Sequence, residues 1–161
     1  MQLPLPDFKK PPVTEVVLGV QFEQLDSLQV PQLGCVWHSF RDRFPQTAEK
    51  PPLESSIEQF GTKVGGHLGV RLRLSSTSPR PRLWFLNNEG TNLIQVQQDR
   101  FVRNWRKGDG AREYPRYRNL QKLFLEDFKR FNDLIEAEKW GKVEPTQCEV
   151  TYVNLITAGE V

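Results

Sequence analysis

The run "RLWFLNNEGTNLIQVQ", residues 82–97, constrains the fold more than any other part of this chain. Two strand-like segments flank Asn87, Asn88, Glu89 and Gly90, which supply the turn chemistry of a hairpin. A hairpin pairs its strands antiparallel. The expected sheet is therefore mixed and largely antiparallel.

The other elements follow from periodicity. In "VTEVVLGVQF", Thr14, Val16, Leu18, Val20 and Phe22 alternate with Glu15, Val17, Gly19 and Gln21, which predicts a half-buried strand. Leu33, Val36, Trp37, Phe40 and Phe44 then recur at helical spacing. Pro45 is the expected stop, and the start is either capped by Ser27 or opened by Pro31. The proline-rich segment 45–56 has no period and is expected to be a surface loop. A short strand is expected at 57–60. Another is expected at 68–74, where Leu68, Val70, Leu72 and Leu74 oppose Arg71 and Arg73.

Residues 101–106 are expected to be extended, and a helix is predicted over 116–139. Pro115 opens it, Tyr117, Leu120, Phe124, Phe128, Phe131 and Ile135 form its stripe, and Gly141 is placed to end it. "CEVTYVNLI" returns to strand character. The order strand, helix, strands, helix, strand predicts an α+β domain with both helices on one face of the sheet. At 161 residues the chain makes one domain. Its later strands are apolar on both sides: Leu83 and Phe85 oppose Trp84 and Leu86, and Val150 and Tyr152 oppose Val153 and Leu155. Two helices cover only one side, so a second copy or an exposed apolar patch is expected.

Composition narrows the class of protein. No apolar run approaches the roughly 18 residues of a membrane span, and the N-terminus lacks a basic start followed by an apolar core. A cytoplasmic protein without a membrane partner is the resulting expectation. Two cysteines, Cys35 and Cys148, make no disulfide framework, and their core-like neighbours predict both to be reduced and buried.

The net charge of +2 conceals a segregation. Residues 1–70 carry 6 basic and 8 acidic groups, residues 71–118 carry 11 and 4, and residues 119–161 carry 5 and 8. The middle third is thus +7, and ten of its cations are arginine, whose planar fork pairs two oxygens at once. A carboxylate- or phosphate-bearing partner would go there.

Several segments together resemble a sporadically distributed bacterial family that is uncharacterised and carries only a serial designation. They are "LPDFKKPPVTEVVLGVQF", "WHSFRDRFP", "RLWFLNNEGTNLIQVQQDRFVRNWRK", "YPRY" and "QCEVTYVNLI". The family has no established activity, so the resemblance assigns no catalytic or binding residue. Its members run on past "VTYVNLI" with further strands and a helix. By that resemblance, residues 1–161 form the N-terminal part of a longer unit.

Cys35, His38, His67 and Cys148 would have to converge from three segments to hold a metal, so neither metal nor cofactor is expected. Nucleophile-elbow, phosphate-loop and calcium-loop patterns are absent from the sequence. Glu15, Asp99 and Glu149 are acid–base candidates that any globular domain would contain, which leaves a small enzyme as the weakest reading.

The strongest candidate is an Arg/aromatic-rich surface made by Arg71, Arg73, Arg100, Arg103, Trp105, Arg106, Tyr114 and Tyr117. Arg103 stands between Phe101 and Trp105 on one strand face, either as a ligand contact or as a structural arginine paired with Asp99, Glu15 or Glu149. The expectation is a non-catalytic interaction module that binds an acidic protein partner or a second copy of itself. Single-stranded nucleic acid or a nucleotide is the alternative ligand.

Overall fold

The computed structural model describes residues 8–54, 80–108 and 113–156. The strands expected at 57–60 and 68–74, with Arg71 and Arg73, lie outside the described residues, as does His67. The elements run β1 (Val13–Phe22), α1 (Val30–Phe40), β2 (Gln46–Lys50), β3 (Arg82–Leu86), β4 (Asn92–Gln97), β5 (Arg100–Arg106), α2 (Tyr117–Ala137) and β6 (Pro145–Asn154). The six strands form one sheet in the order β2-β3-β4-β5-β1-β6, with every neighbouring pair antiparallel. This is an α+β fold.

The hairpin that constrained the reading joins β3 to β4. Gly90 takes φ 67, the Asn87 and Gly90 amides donate to Asn92 O and Asn87 O at 3.1 Å, and Asn87 Oδ1 accepts from the Asn92 amide at 2.9 Å. The left-handed φ at Gly90 is the reason glycine suits that position.

Alternation along the central strands separates two faces. One carries Val16, Leu18 and Val20 from β1, Phe101, Arg103 and Trp105 from β5, Ile94 and Val96 from β4, and Leu83 and Phe85 from β3. Both helices lie on it. Phe101 is their common anchor: its ring centroid is 6.3 Å from Phe40 of α1, and 6.1, 5.7 and 5.1 Å from Phe124, Phe128 and Phe131 of α2. Such tilted ring pairs add roughly 0.5–1.5 kcal/mol each to the gain from burial alone.

The boundaries differ from the sequence reading in instructive ways. Residues 46–50 are not loop but a strand at the edge of the described sheet: among the described residues "QTAEK" pairs only with β3, and it carries no apolar alternation to betray it. Helix α1 opens with Pro31 in its first turn and stops at Phe40, ahead of Pro45. There the Arg43 and Phe44 amides both return to Phe40 O, and Trp37 Nε1 donates to Phe44 O at 3.0 Å.

Helix α2 ends at Ala137, and Lys139, not Gly141, takes the left-handed residue at φ 58. Trp140 N donates to Ile135 O and Lys139 N to Glu136 O, the paired bonds that close a helix C-terminus. Cys35 and Cys148 are free as expected but exposed. Cys35 falls on the side of α1 away from buried Leu33, Val36 and Phe40, and Cys148 sits on edge strand β6. Among the described residues no helix is long and apolar enough to cross a membrane.

Candidate functional site

The predicted residues divide between the two faces of the sheet. Arg103 and Trp105 belong to the helix-covered side. Arg100 and Arg106, two residues out of phase with them, belong to the other.

Arg103 is only 6% exposed, and its ionic partner is Asp127 of α2, 1% exposed, at 3.2 Å. None of Asp99, Glu15 or Glu149 supplies that carboxylate. Asp127 also receives Arg43 from the turn after α1, and Arg103 Nη2 donates to Asn92 Oδ1 at 3.3 Å. Burial pulls the Arg103 guanidinium below its ordinary pKa, and the Asp127 charge opposes that pull. The trio ties β5, α2 and the end of α1 together beneath the aromatic layer.

Among the described residues the other face carries no helix, and polar side chains stand on it beside buried Leu93 and Val102. A hydrogen-bonded chain crosses four strands. Arg82 Nη1 donates to Gln95 Oε1 at 2.8 Å, Gln95 Nε2 to Asn104 Oδ1 at 2.7 Å, and Asn104 Nδ2 to Glu15 Oε1 at 2.6 Å. The same Glu15 oxygen accepts from Arg106 Nε at 3.0 Å. A parallel row holds buried Gln97 and Arg100 beneath residues 53–54: Gln97 exchanges hydrogen bonds with the Leu53 backbone, and Arg100 Nη2 donates to Glu54 O.

At the β2–β3 end this face opens onto Trp84, whose half-buried ring has Lys50, Arg106 and Arg82 at 5.0, 5.1 and 5.6 Å from its centroid. Among the described residues no carboxylate pairs with Arg82 or Arg100. Burial and then repulsion from Arg100 lower the Arg82 pKa. Three donors on this face, Arg82 Nε, Trp84 Nε1 and Arg100 Nε, are withdrawn from water with no acceptor among the described residues. Each such orphan costs about 1–3 kcal/mol. All three are donors, so what would satisfy them is an acceptor.

Lys50, Arg82 and Trp84 were not singled out as site residues in the sequence. The available signal was alternation in "RLWFL", which puts Arg82 and Trp84 on the face opposite Leu83 and Phe85.

Tyr114 and Tyr117 join neither cluster. Both pack at the margin of the core, with the Tyr114 ring 5.6 Å from Trp105 and beneath the Arg116 guanidinium. Burial, then a 3.4 Å hydrogen bond to Tyr152, pushes the Tyr114 phenol above its ordinary 10.0. The unfolded chain therefore ionises this group first. Its contribution to stability is complete below about pH 10 and is lost as pH rises toward the folded value. In alkaline denaturation, Tyr114→Phe is expected to lose less stability between neutral pH and pH ~11 than the parent. Equal loss in both chains would show that Tyr114 is not a source of the alkaline sensitivity.

Glu15, Asp99 and Glu149 are held apart, the first in the polar chain, the second accepting from Gln97 at a turn, the third beside Thr151 on β6. Among the described residues no three His, Cys, Asp or Glu come together as a metal site. Compared with family models, curated proteins and solved structures, the chain finds no match.

Proposed function

We propose that the chain is a non-catalytic interaction module that binds an acidic protein segment on the helix-free face, at Lys50, Arg82, Trp84 and Arg106. The supporting observation is the set of orphan donors beside Trp84, whose ring is flanked by Lys50 and Arg82, neither with a carboxylate partner among the described residues, and by Arg106, which Glu15 pairs. Asp and Glu side chains would bring both the missing acceptors and the compensating charge.

The nucleic-acid reading asks Trp84 to stack on a base, but its ring is already engaged by cations that a base would have to displace. Arg103 enters this proposal as a support for the sheet, since it is buried with Nε against Asp127 and Nη2 on Asn92. The bacterial family that the sequence resembles fits the same proposal and adds no activity to it.

Anisotropy titrations of a short labelled poly-glutamate peptide, poly-glutamine and oligo-dT test this directly. Poly-glutamate is expected to bind with a steep salt dependence, and Arg82→Ala or Trp84→Ala to weaken it about tenfold or more. Lys142→Ala, on a distant turn, should change nothing. Tighter binding of oligo-dT than of the peptide would move the function to nucleic acid, and no binding of either at low salt would refute an anionic partner.

A further inference from the structure

Two surface clefts differ sharply in charge. One of about 430 Å³ on α2 is lined by Arg43, Lys129 and Arg130 against Glu126, Asp127 and Asp133, and so is internally balanced. The other, about 360 Å³, lies at the opposite margin of the core. Among the described residues four cations line it, Lys9, Lys10, Lys107 and Arg116, against the carboxylate of Glu113. Pro11, Val13 and Tyr114 complete its wall. We propose that this second cleft is a binding site for a small diphosphate-bearing ligand.

Size, charge and the kind of cation carry the argument. The volume lies within the roughly 300–1,000 Å³ range of small-molecule sites. Among the described residues the lining cations outnumber the carboxylates four to one, an excess of positive charge that suits a diphosphate group at neutral pH. Three of the four are lysines, compact point charges of the kind that commonly hold phosphate. Among the described residues Lys9, Lys10 and Lys107 have no carboxylate partner.

The backbone beneath the cations is fixed from several sides. The Lys107 amide donates to Thr14 O at 2.8 Å, which anchors the end of β5 to the start of β1. Arg116 Nη1 donates to Phe8 O at 3.1 Å, joining the segment before β1 to the approach to α2. Arg116 itself takes φ 71, a left-handed conformation that a residue with a side chain adopts only where its surroundings enforce it. Helix α2 starts at the next residue with no acidic side chain in its first turn, so its positive end adds to the field of the cleft. None of these residues belongs to the Trp84 cluster. Either site can therefore fail alone.

Calorimetric titration of the full chain at low salt, with pyrophosphate, ADP, inorganic phosphate and citrate as probes, tests the proposal. Pyrophosphate or ADP is expected to bind more tightly than phosphate or citrate. Tighter ADP would identify a nucleotide, and equal binding the inorganic group. Lys10→Ala and Lys107→Ala, at exposed positions, should each weaken pyrophosphate about five- to tenfold. Glu113→Gln should tighten it, and Lys142→Ala should leave it unchanged. The proposal is overturned by no heat at millimolar pyrophosphate, by citrate binding as tightly, or by Lys142→Ala costing as much as Lys10→Ala.

Discussion

Asp127→Ala is expected to destabilise the fold by about 3–5 kcal/mol, because it leaves the buried Arg103 guanidinium without its counter-charge. A domain of this size loses roughly 2–4 °C of melting temperature per kcal/mol, so the melt should fall by about 6–20 °C. Arg103→Ala should cost a comparable amount, since Asp127 would keep only Arg43, whose side chain is 45% exposed. Arg43→Ala removes a partner that water screens, and is expected to cost about 1 kcal/mol or less. Replacing both members together, Arg103→Met with Asp127→Leu, should recover most of the loss, as apolar substitutes of similar volume often do for buried ion pairs. Thermal melts of the four variants decide the matter. A shift below about 2 °C for Asp127→Ala would show that the pair does not hold α2 to the sheet.

That pair also marks where the sequence stops informing. Arg103 between Phe101 and Trp105 was readable from alternation alone, because period two is a local property of a strand. Its partner was not. Of the acidic residues the sequence offered, Glu15 and Glu149 lie on strands and Asp99 at the turn between β4 and β5, whereas the one that reaches it depends on how α2 lies across the sheet.

A hint was nonetheless present, since the buried positions of α2 run Leu120, Phe124, Asp127, Phe131, Ile135 at steps of three and four. Reading Phe128 into that stripe hid a carboxylate standing at a core position. A charged residue on an apolar stripe predicts a buried opposite charge across the interface.

The same limit explains the other differences. Residues 46–50 form a strand only because β3 offers them an edge, and their own polar side chains encode no face. The polar side of Arg82, Gln95, Gln97, Arg100 and Asn104 is a property of three strands in register. From the sequence, Trp84 and Leu86 read as a second apolar face. The register instead surrounds Trp84 with cations brought from β2 and β5 as well as its own strand.

The apolar surplus foreseen on both faces of the later strands is located at β6, and it is expected to drive association. Among the described residues this ten-residue strand closes one edge of the sheet and pairs only with β1. Val150 and Tyr152 on its helix side, Val153 on the other, and Leu155 and Ile156 just beyond are all exposed, the last at 83%. Residues 150–156 contain no charge and no proline, the usual means of blunting an edge. The opposite edge is protected by comparison: β2 is short, carries Glu49 and Lys50, and runs into Pro51 and Pro52. An uncharged edge flanked by apolar side chains offers both unpaired backbone groups and a surface to cover. Light scattering after size exclusion should give a mass that rises above the 18.7 kDa of one chain as concentration increases, together with binding of a hydrophobic dye. The double substitution Val150→Lys with Val153→Lys places a charge on each face of the edge and should return the chain to monomer without lowering its melting temperature by more than a few degrees. Leu125→Lys, at an exposed apolar position on α2, serves as the control and should leave association intact. A monomer at every concentration with no dye signal would mean that β6 is not an interaction edge, and the two-faced strands would then need no partner.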